Sequence, residues 1–249
     1  MDLELTGKRA LVLGASRGLG AAIAAELAGE GAAVLGVSRS GDVAEGCTGF
    51  AADLGDSGAA EAIAREAKSV LGGVDILVNN SGGPPPSAAR ETDADAILAA
   101  MQPMLLTITE LTRALVPAMR EAGFGRVLTV TSAGVREPIP GLVLSNTIRS
   151  ALHAFMKTLA KEVAADGVTV NMLMPGQIAT DRLRELHGGA AKAMGIPKEA
   201  MMAKAKEAIP MARFGEPHEF AAVAAFLASP RASYVTGLEL PIDGGFLRS

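Results

Sequence analysis

Short apolar runs alternating with longer helical stretches along 249 residues predict an α/β fold: a single-domain, Rossmann-type doubly wound parallel sheet with helices on both faces. Two further observations point the same way. The apolar part of the chain, 49% of residues, is built from Ala, Val, Leu, Ile and Met with only 3% aromatics, which suits close packing of helices on a sheet. A glycine-rich loop from Gly14 to Gly20 sits between the first apolar run and the first helical stretch, where a βα turn heads such a sheet. No linker, repeat or composition break divides residues 1–249, so they read as one domain.

The elements follow in order. Arg9 to Leu13 reads as the first strand, and the helix after the glycine loop runs to about Glu30, with Gly31 as its C-terminal stop. Ala33 to Val37 is a second strand, Gly49 to Ala52 a short third, and Val74 to Asn79 a fourth, bounded by the Gly82–Pro86 turn. Arg126 to Thr131 and Val168 to Leu173 are the fifth and sixth, and Gly237 to Pro241 closes the sheet. Helices are expected at roughly 57–71, 92–122 with an interruption near Pro103, 143–165, 181–208 and 217–228.

Composition excludes several function classes. A net charge of −4 argues against nucleic acid and anionic membranes as partners, both of which need a basic surface. The lone Cys47 rules out an intramolecular disulfide and fits a reducing compartment. Asp2 and Glu4 stand where a signal peptide would be basic, and no uninterrupted apolar stretch reaches spanning length, so a cytoplasmic protein is expected. No His/Cys cluster has metal-ligand spacing, and no metal is expected.

The loop Gly14-Ala15-Ser16-Arg17-Gly18-Leu19-Gly20 has the strand–loop–helix context in which such a triplet holds a dinucleotide. Gly14 permits the tight turn, Gly18 lets backbone amides approach a pyrophosphate, and Gly20 lets the helix lie close to the sheet. The helix N-terminus adds partial positive charge for the phosphates. A glycine-rich turn without a ligand is the rival reading, and placement at the head of the sheet speaks against it. The second strand ends Val37-Ser38-Arg39, with no carboxylate to accept from a ribose 2′-hydroxyl. Arg17 and Arg39 suit a 2′-phosphate instead, so NADP is expected rather than NAD. Two solvated surface arginines are the plain alternative.

With these residues in hand, the chain resembles the short-chain dehydrogenase/reductase family, and within it the 3-oxoacyl-(acyl carrier protein) reductase-like branch. The resemblance runs from the glycine loop through Asp53-Leu54, Asn79-Asn80-Ser81-Gly82, Ser132 and Pro175-Gly176-Gln177-Ile178-Ala179-Thr180. It continues in Gly215 to Glu219, Tyr234 to Gly237 and Asp243-Gly244-Gly245. The resemblance implies that Asp53, Leu54 and the Asn79–Gly82 segment border the adenine and its ribose. It likewise sets Pro175, Gly176, Ile178 and Thr180 at the nicotinamide, with the Thr180 hydroxyl able to bond the carboxamide. Asn79 can equally tie neighbouring strands together, and Asp243-Gly244-Gly245 reads as a structural turn.

The family's chemistry uses Asn, Ser, Tyr and Lys, with Tyr the proton donor and Lys the ribose ligand that activates it. Ser132 matches, whereas the family's spacing puts Ser145 at the Tyr position, Arg149 at the Lys position and Met104 at the Asn position. Tyr234, the only tyrosine, lies in the C-terminal motif. A phenol titrates near 10 and a serine hydroxyl near water, a difference of about 7–8 kcal/mol in proton-transfer driving force. Arg149 can bond ribose hydroxyls and supply charge but is too basic to shuttle protons. Ser132, Ser145 and Arg149 are therefore the candidate catalytic residues, able to bind a substrate oxygen without a good acid among them. Three histidines are weighed as substitutes: His153 reads as surface or interface, His187 as a lone histidine on a substrate-lid segment near 181–210, and His218 as structural. The stretch from Arg39 to Asp53 is shorter than the family's usual one, so the helix normally there is expected to be lost.

Two functions remain in view. One is an NADP(H)-binding reductase acting on a small-molecule carbonyl/alcohol pair, for instance a 3-oxoacyl thioester, through a non-standard proton donor. The other is a dinucleotide-binding sensor or assembly protein without turnover. The helices at about 104–122 and 143–165 carry apolar residues on more than one face, and Phe246 and Leu247 look exposed. A homo-oligomer, tetramer or dimer, is expected from this excess and from the resemblance.

Overall fold

Runs of branched apolar residues build seven parallel strands: β1 (Arg9–Leu13), β2 (Ala33–Ser38), β3 (Thr48–Ala51), β4 (Ile76–Asn79), β5 (Gly125–Val130), β6 (Val168–Pro175) and β7 (Glu239–Ile242). Their order across the sheet is β3-β2-β1-β4-β5-β6-β7, in a computed structural model that describes residues 2–247. Eight α-helices connect them among these residues: α1 (Gly18–Gly29), α2 (Ala59–Leu71), α3 (Ala94–Met101), α4 (Thr107–Glu121), α5 (Val143–Val163), α6 (Asp181–Met194), α7 (Lys198–Glu207) and α8 (Pro217–Ala228).

Successive strand side chains point to opposite faces, and the core divides accordingly. Ala10, Val12, Val34, Ile76, Val78 and Leu128 pack with Ile23 and Leu27 of α1 and Phe220 and Ala224 of α8. Leu11, Leu13, Leu35, Leu77, Val127 and Met172 pack on the other face with Ile63 of α2, Ile108 and Leu111 of α4, and Leu152 and Met156 of α5. The chain leaves β1 toward one edge and returns through β4 toward the other, so a crevice opens above the carboxyl ends of these two neighbours, the usual ligand position in such a sheet.

Several expectations are corrected. The helical stretch expected over 181–208 is two helices, because Gly195 takes a left-handed conformation (φ 66°) and Pro197 follows it. The interruption near Pro103 is real but mild: Gln102–Leu106 winds as a π-helix, accommodating the missing proline N–H without ending the rod. Within the resulting rod, Ala94–Glu121, the most apolar 18 residues reach a mean hydropathy of 1.2, enough to cross a membrane by length and composition alone. Ile108, Leu111, Val116 and Met119 of this rod are buried against the sheet. Leu247 is also buried and Phe246 packs near Ile209 and Phe214, so the two apolar residues expected at the surface are covered by the chain itself.

The connection from β2 to β3 has no helix, as its shortness suggested. Val43 and Cys47 pack onto the α1 side of the core in its place, and the Ser38 hydroxyl donates to the Asp42 carbonyl at 2.9 Å to fix the turn.

Candidate functional site

The glycine loop is shaped by close packing as much as by any ligand. Gly14 adopts φ 64°, and a Cβ there would stand 2.6 Å from Asn80 Nδ2; one at Gly20 would collide with the Gly14 carbonyl oxygen. Gly18, also left-handed at φ 61°, is less confined: a Cβ there would make ordinary contact with the Thr180 side chain, its methyl at 3.5 Å. Of the three, only Gly18 could carry a Cβ without a collision. Asn80 holds this geometry from the neighbouring strand: its Nδ2 donates to the carbonyls of Leu13 and Gly14 at 3.2 and 3.3 Å. Its amide is thus committed to the loop. Asn79, one residue earlier, donates to Thr112 Oγ1 at 3.1 Å and to Thr129 Oγ1 at 3.5 Å, tying β4 to α4 and β5.

The two arginines flanking the loop go to different places. Arg39, Ser16 and Ser40 line an open hollow of about 390 Å³ beside the end of β2. Three donors and no carboxylate converge there, a set that suits a phosphate. Arg17 points the other way and pairs with Glu185 of α6 at 3.6 Å. Asp53 is exposed, its carboxylate accepting from the Gly55 amide at 2.8 Å, and Leu54 is half-buried against the core.

Across the crevice, the ends of β4, β5 and β6 bring together Ser81, Ser132 and the Pro175–Thr180 loop. The Ser81 side chain is buried, and its hydroxyl has no partner among the described residues. Such an orphan polar group is what a ligand in the crevice would satisfy. Ser132 accepts from the Gly134 amide at 3.1 Å, leaving its own proton free. Asn146 braces that turn from α5, donating to the Ile139 carbonyl at 2.9 Å and accepting from the Ile139 amide at 3.3 Å. Sequence reasoning did not single out Asn146; its adjacency to Ser145 on a helix opposite the Ser132 turn was the available signal. Ile178 is buried, and Thr180 caps α6, accepting from the Leu183 amide at 3.3 Å. Gly176 lies so close to the turn after β7 that a Cβ would stand 2.5 Å from Asp243 Cβ; the Asp243 carboxylate in turn accepts from the amides of Gly245 and Leu247, each at 2.9 Å.

The first turns of α5 carry Ser145, half-buried, and Arg149, buried. The Arg149 guanidinium donates to the Val130 carbonyl at 2.6 Å and to the Ser81 carbonyl at 3.0 Å, bridging the ends of β5 and β4. Burial pulls its pKa down to about 10, so it remains charged at neutral pH. Further along the same row, His153 faces Glu239 of β7 at 3.6 Å and Lys157 donates to the Gly237 carbonyl, so the row turns away from the crevice. Met104 is buried in an apolar cluster with Leu144 and Ile148. His187 is half-buried rather than fully solvated: its Nε2 lies 2.9 Å from Gln177 Oε1, its ring stacks on Phe214 at 5.8 Å, and burial lowers its pKa. Tyr234 is fully exposed.

Comparison with known proteins finds full-length relatives. A family model described as enoyl-(acyl carrier protein) reductase matches residues 14–247. The chain is 35% identical to the 3-oxoacyl-[acyl-carrier-protein] reductase FabG of Haemophilus influenzae, over 98% of this chain and 100% of that protein. It is 31% identical to the NADPH-dependent reductase BacG of Bacillus subtilis, over 98% of this chain and 100% of that one. The crystal structure of L-sorbose reductase from Gluconobacter frateurii, complexed with NADPH and L-sorbose, superposes with a TM-score of 0.91 at 30% identity, covering 100% of both chains. By fold, by site architecture and by these full-length likenesses, the protein belongs to the short-chain dehydrogenase/reductase family.

Proposed function

We propose that the protein is an NADP(H)-dependent reductase of a carbonyl/alcohol pair, of the kind found in 3-oxoacyl thioesters. The observation that carries the cofactor is the hollow formed by Ser16, Arg39 and Ser40, with two hydroxyls and a guanidinium and no acid at the end of β2. The orphaned Ser81 hydroxyl and the left-handed Gly18 at the head of α1 fit the rest of a dinucleotide. In this reading the α1 N-terminus and the Gly18 amide hold the diphosphate, Ser81 and Gly82 border the adenosine half, and Ile178 and Thr180 border the nicotinamide. The cofactor, when bound, supplies the hydride.

The chain's own residues do the remaining work. Ser132 and Ser145 donate to the substrate oxygen, and Arg149 fixes positive charge beneath the site by clamping the ends of β4 and β5. No phenol stands among them. The family's acid, its activating ammonium and its relay amide are replaced by Ser145, Arg149 and Met104. The proton at the substrate oxygen accordingly comes from water or from the substrate. Helices α6 and α7, over 181–207, form the substrate lid.

A second reading, dinucleotide binding without turnover, draws on the same replacements, above all on the apolar packing of Met104. Assaying NADPH oxidation against a panel of ketones and 3-oxoacyl thioesters separates the two. Turnover of any of them supports the reductase, and tight NADPH binding with no oxidation on the whole panel establishes the second reading.

A further inference from the structure

Helix α6 is fastened over the crevice at three points, each to a different segment of its rim. Arg182 donates to the Pro84 carbonyl of the turn after β4 at 2.7 Å. Glu185 pairs with Arg17 of the glycine loop at 3.6 Å. His187 meets Gln177 of the loop after β6 at 2.9 Å. The Arg182 contact is backbone-directed and the His187 contact is part-buried and backed by Phe214. The middle contact is different in kind: it holds a solvent-exposed carboxylate against the one guanidinium that projects from the glycine loop, immediately before Gly18.

We propose that Glu185 is an internal competitor for Arg17, so that a dinucleotide phosphate enters the crevice by exchanging places with the Glu185 carboxylate. The proposal rests on the cofactor reading above. A phosphate seated on the Gly18 amide comes within reach of Arg17, which precedes it in the chain, and also within reach of the carboxylate now held there. Two anions about 4 Å apart repel by about 1 kcal/mol even in bulk water, so phosphate and Glu185 do not share the guanidinium without loss. Glu185 therefore weakens cofactor binding and ties the lid down while the crevice is empty. Cofactor arrival releases the middle fastening of α6 and leaves the Arg182 and His187 fastenings to hold the helix. Glu185 is in this sense a determinant of both dinucleotide affinity and lid freedom.

The test is a double-mutant cycle with Glu185→Gln and Arg17→Ala, read by NADPH fluorescence titration. Exposed ion pairs contribute on a scale that makes Glu185→Gln tighten NADPH about two- to five-fold in the otherwise unaltered protein. In the Arg17→Ala background the same change has no effect on affinity, because there is no guanidinium left to release. An unchanged Kd in the single variant overturns the proposal. So does a tightening of equal size in both backgrounds, which marks simple long-range repulsion. Amide exchange on the ligand-free protein reads the fastening independently of the cofactor: residues 181–194 exchange faster in Glu185→Gln than in the parent. If NADPH fails to bind the parent, the cofactor reading falls, while the exchange result still reports whether the Arg17–Glu185 contact holds the lid.

Discussion

Replacing Arg149 weighs a buried charge against the two carbonyls it satisfies. Its pKa of about 10, set by burial, means that holding the charge inside the folded chain costs about 3 kcal/mol at neutral pH, at ~1.4 kcal/mol for each tenfold change. Against this stand two hydrogen bonds to the Val130 and Ser81 carbonyls, at 2.6 and 3.0 Å. Bonds from a charged donor are each worth about 1.5–3 kcal/mol. Arg149→Met keeps the aliphatic stem, removes the penalty and loses both bonds, for a net loss of about 1–2 kcal/mol. Arg149→Lys keeps the buried charge while its single ammonium reaches at most one of the two carbonyls, for a loss of about 2–3 kcal/mol. The expected order of stability is therefore Arg, then Met, then Lys, although Lys is the chemically closer substitution. Urea unfolding with unchanged m measures it. The sign of the pH dependence follows from a folded-state pKa below the unfolded one. The penalty is fully present below about pH 10 and fades only as pH rises above that value, so the order is the same across the neutral range. A Lys variant more stable than the Met variant would refute the account of Arg149 as a charge held for its two backbone bonds.

Three other expectations are open to direct measurement. Arg39→Ala, which removes the only cation of the Ser16–Arg39–Ser40 hollow, narrows the preference for NADPH over NADH by about 1–2 kcal/mol, roughly tenfold; equal affinity of the unaltered protein for both dinucleotides speaks against the 2′-phosphate assignment. Ser145→Tyr and Arg149→Lys made together raise carbonyl reduction, whereas Ser145→Tyr alone does not, since the phenol needs the ammonium one helical turn away. Adding Met104→Asn places an amide among Leu144 and Ile148 and lowers stability by about 1–3 kcal/mol; no gain in turnover with or without it means that the pocket serves another chemistry. The third expectation concerns assembly: Leu98, Leu106 and Phe155 leave an exposed apolar face on α3 to α5, which we propose is covered by a second copy of the chain. Light scattering reports a dimer or tetramer at micromolar concentration, and a particle of 25.3 kDa contradicts it.

The parallel sheet with its intervening helices and the glycine loop at its head were legible because they rest on periodicity and glycine placement, which are properties of short windows of sequence. Arg9 to Leu13 already reads as the first strand, and Gly14 to Gly20 already marks the βα turn that heads the sheet. Even the missing helix after β2 could be read, since the stretch from Arg39 to Asp53 is shorter than in the family the chain resembles. What could not be read was where each polar side chain spends its hydrogen bonds. Arg17 and Arg39 are equivalent on paper, yet one lines a hollow and the other is held by Glu185, 168 positions away along the chain. Arg149 stood out as an altered catalytic position, but its engagement with Val130 and Ser81 depends on two strand ends meeting a helix start. Asn80 offered an amide to a ligand in the sequence and gives it to the glycine loop in the fold. Local pattern decides elements because backbone geometry repeats every two or 3.6 residues. Long-range partners carry no such period, and only the tertiary structure determines which donor meets which acceptor.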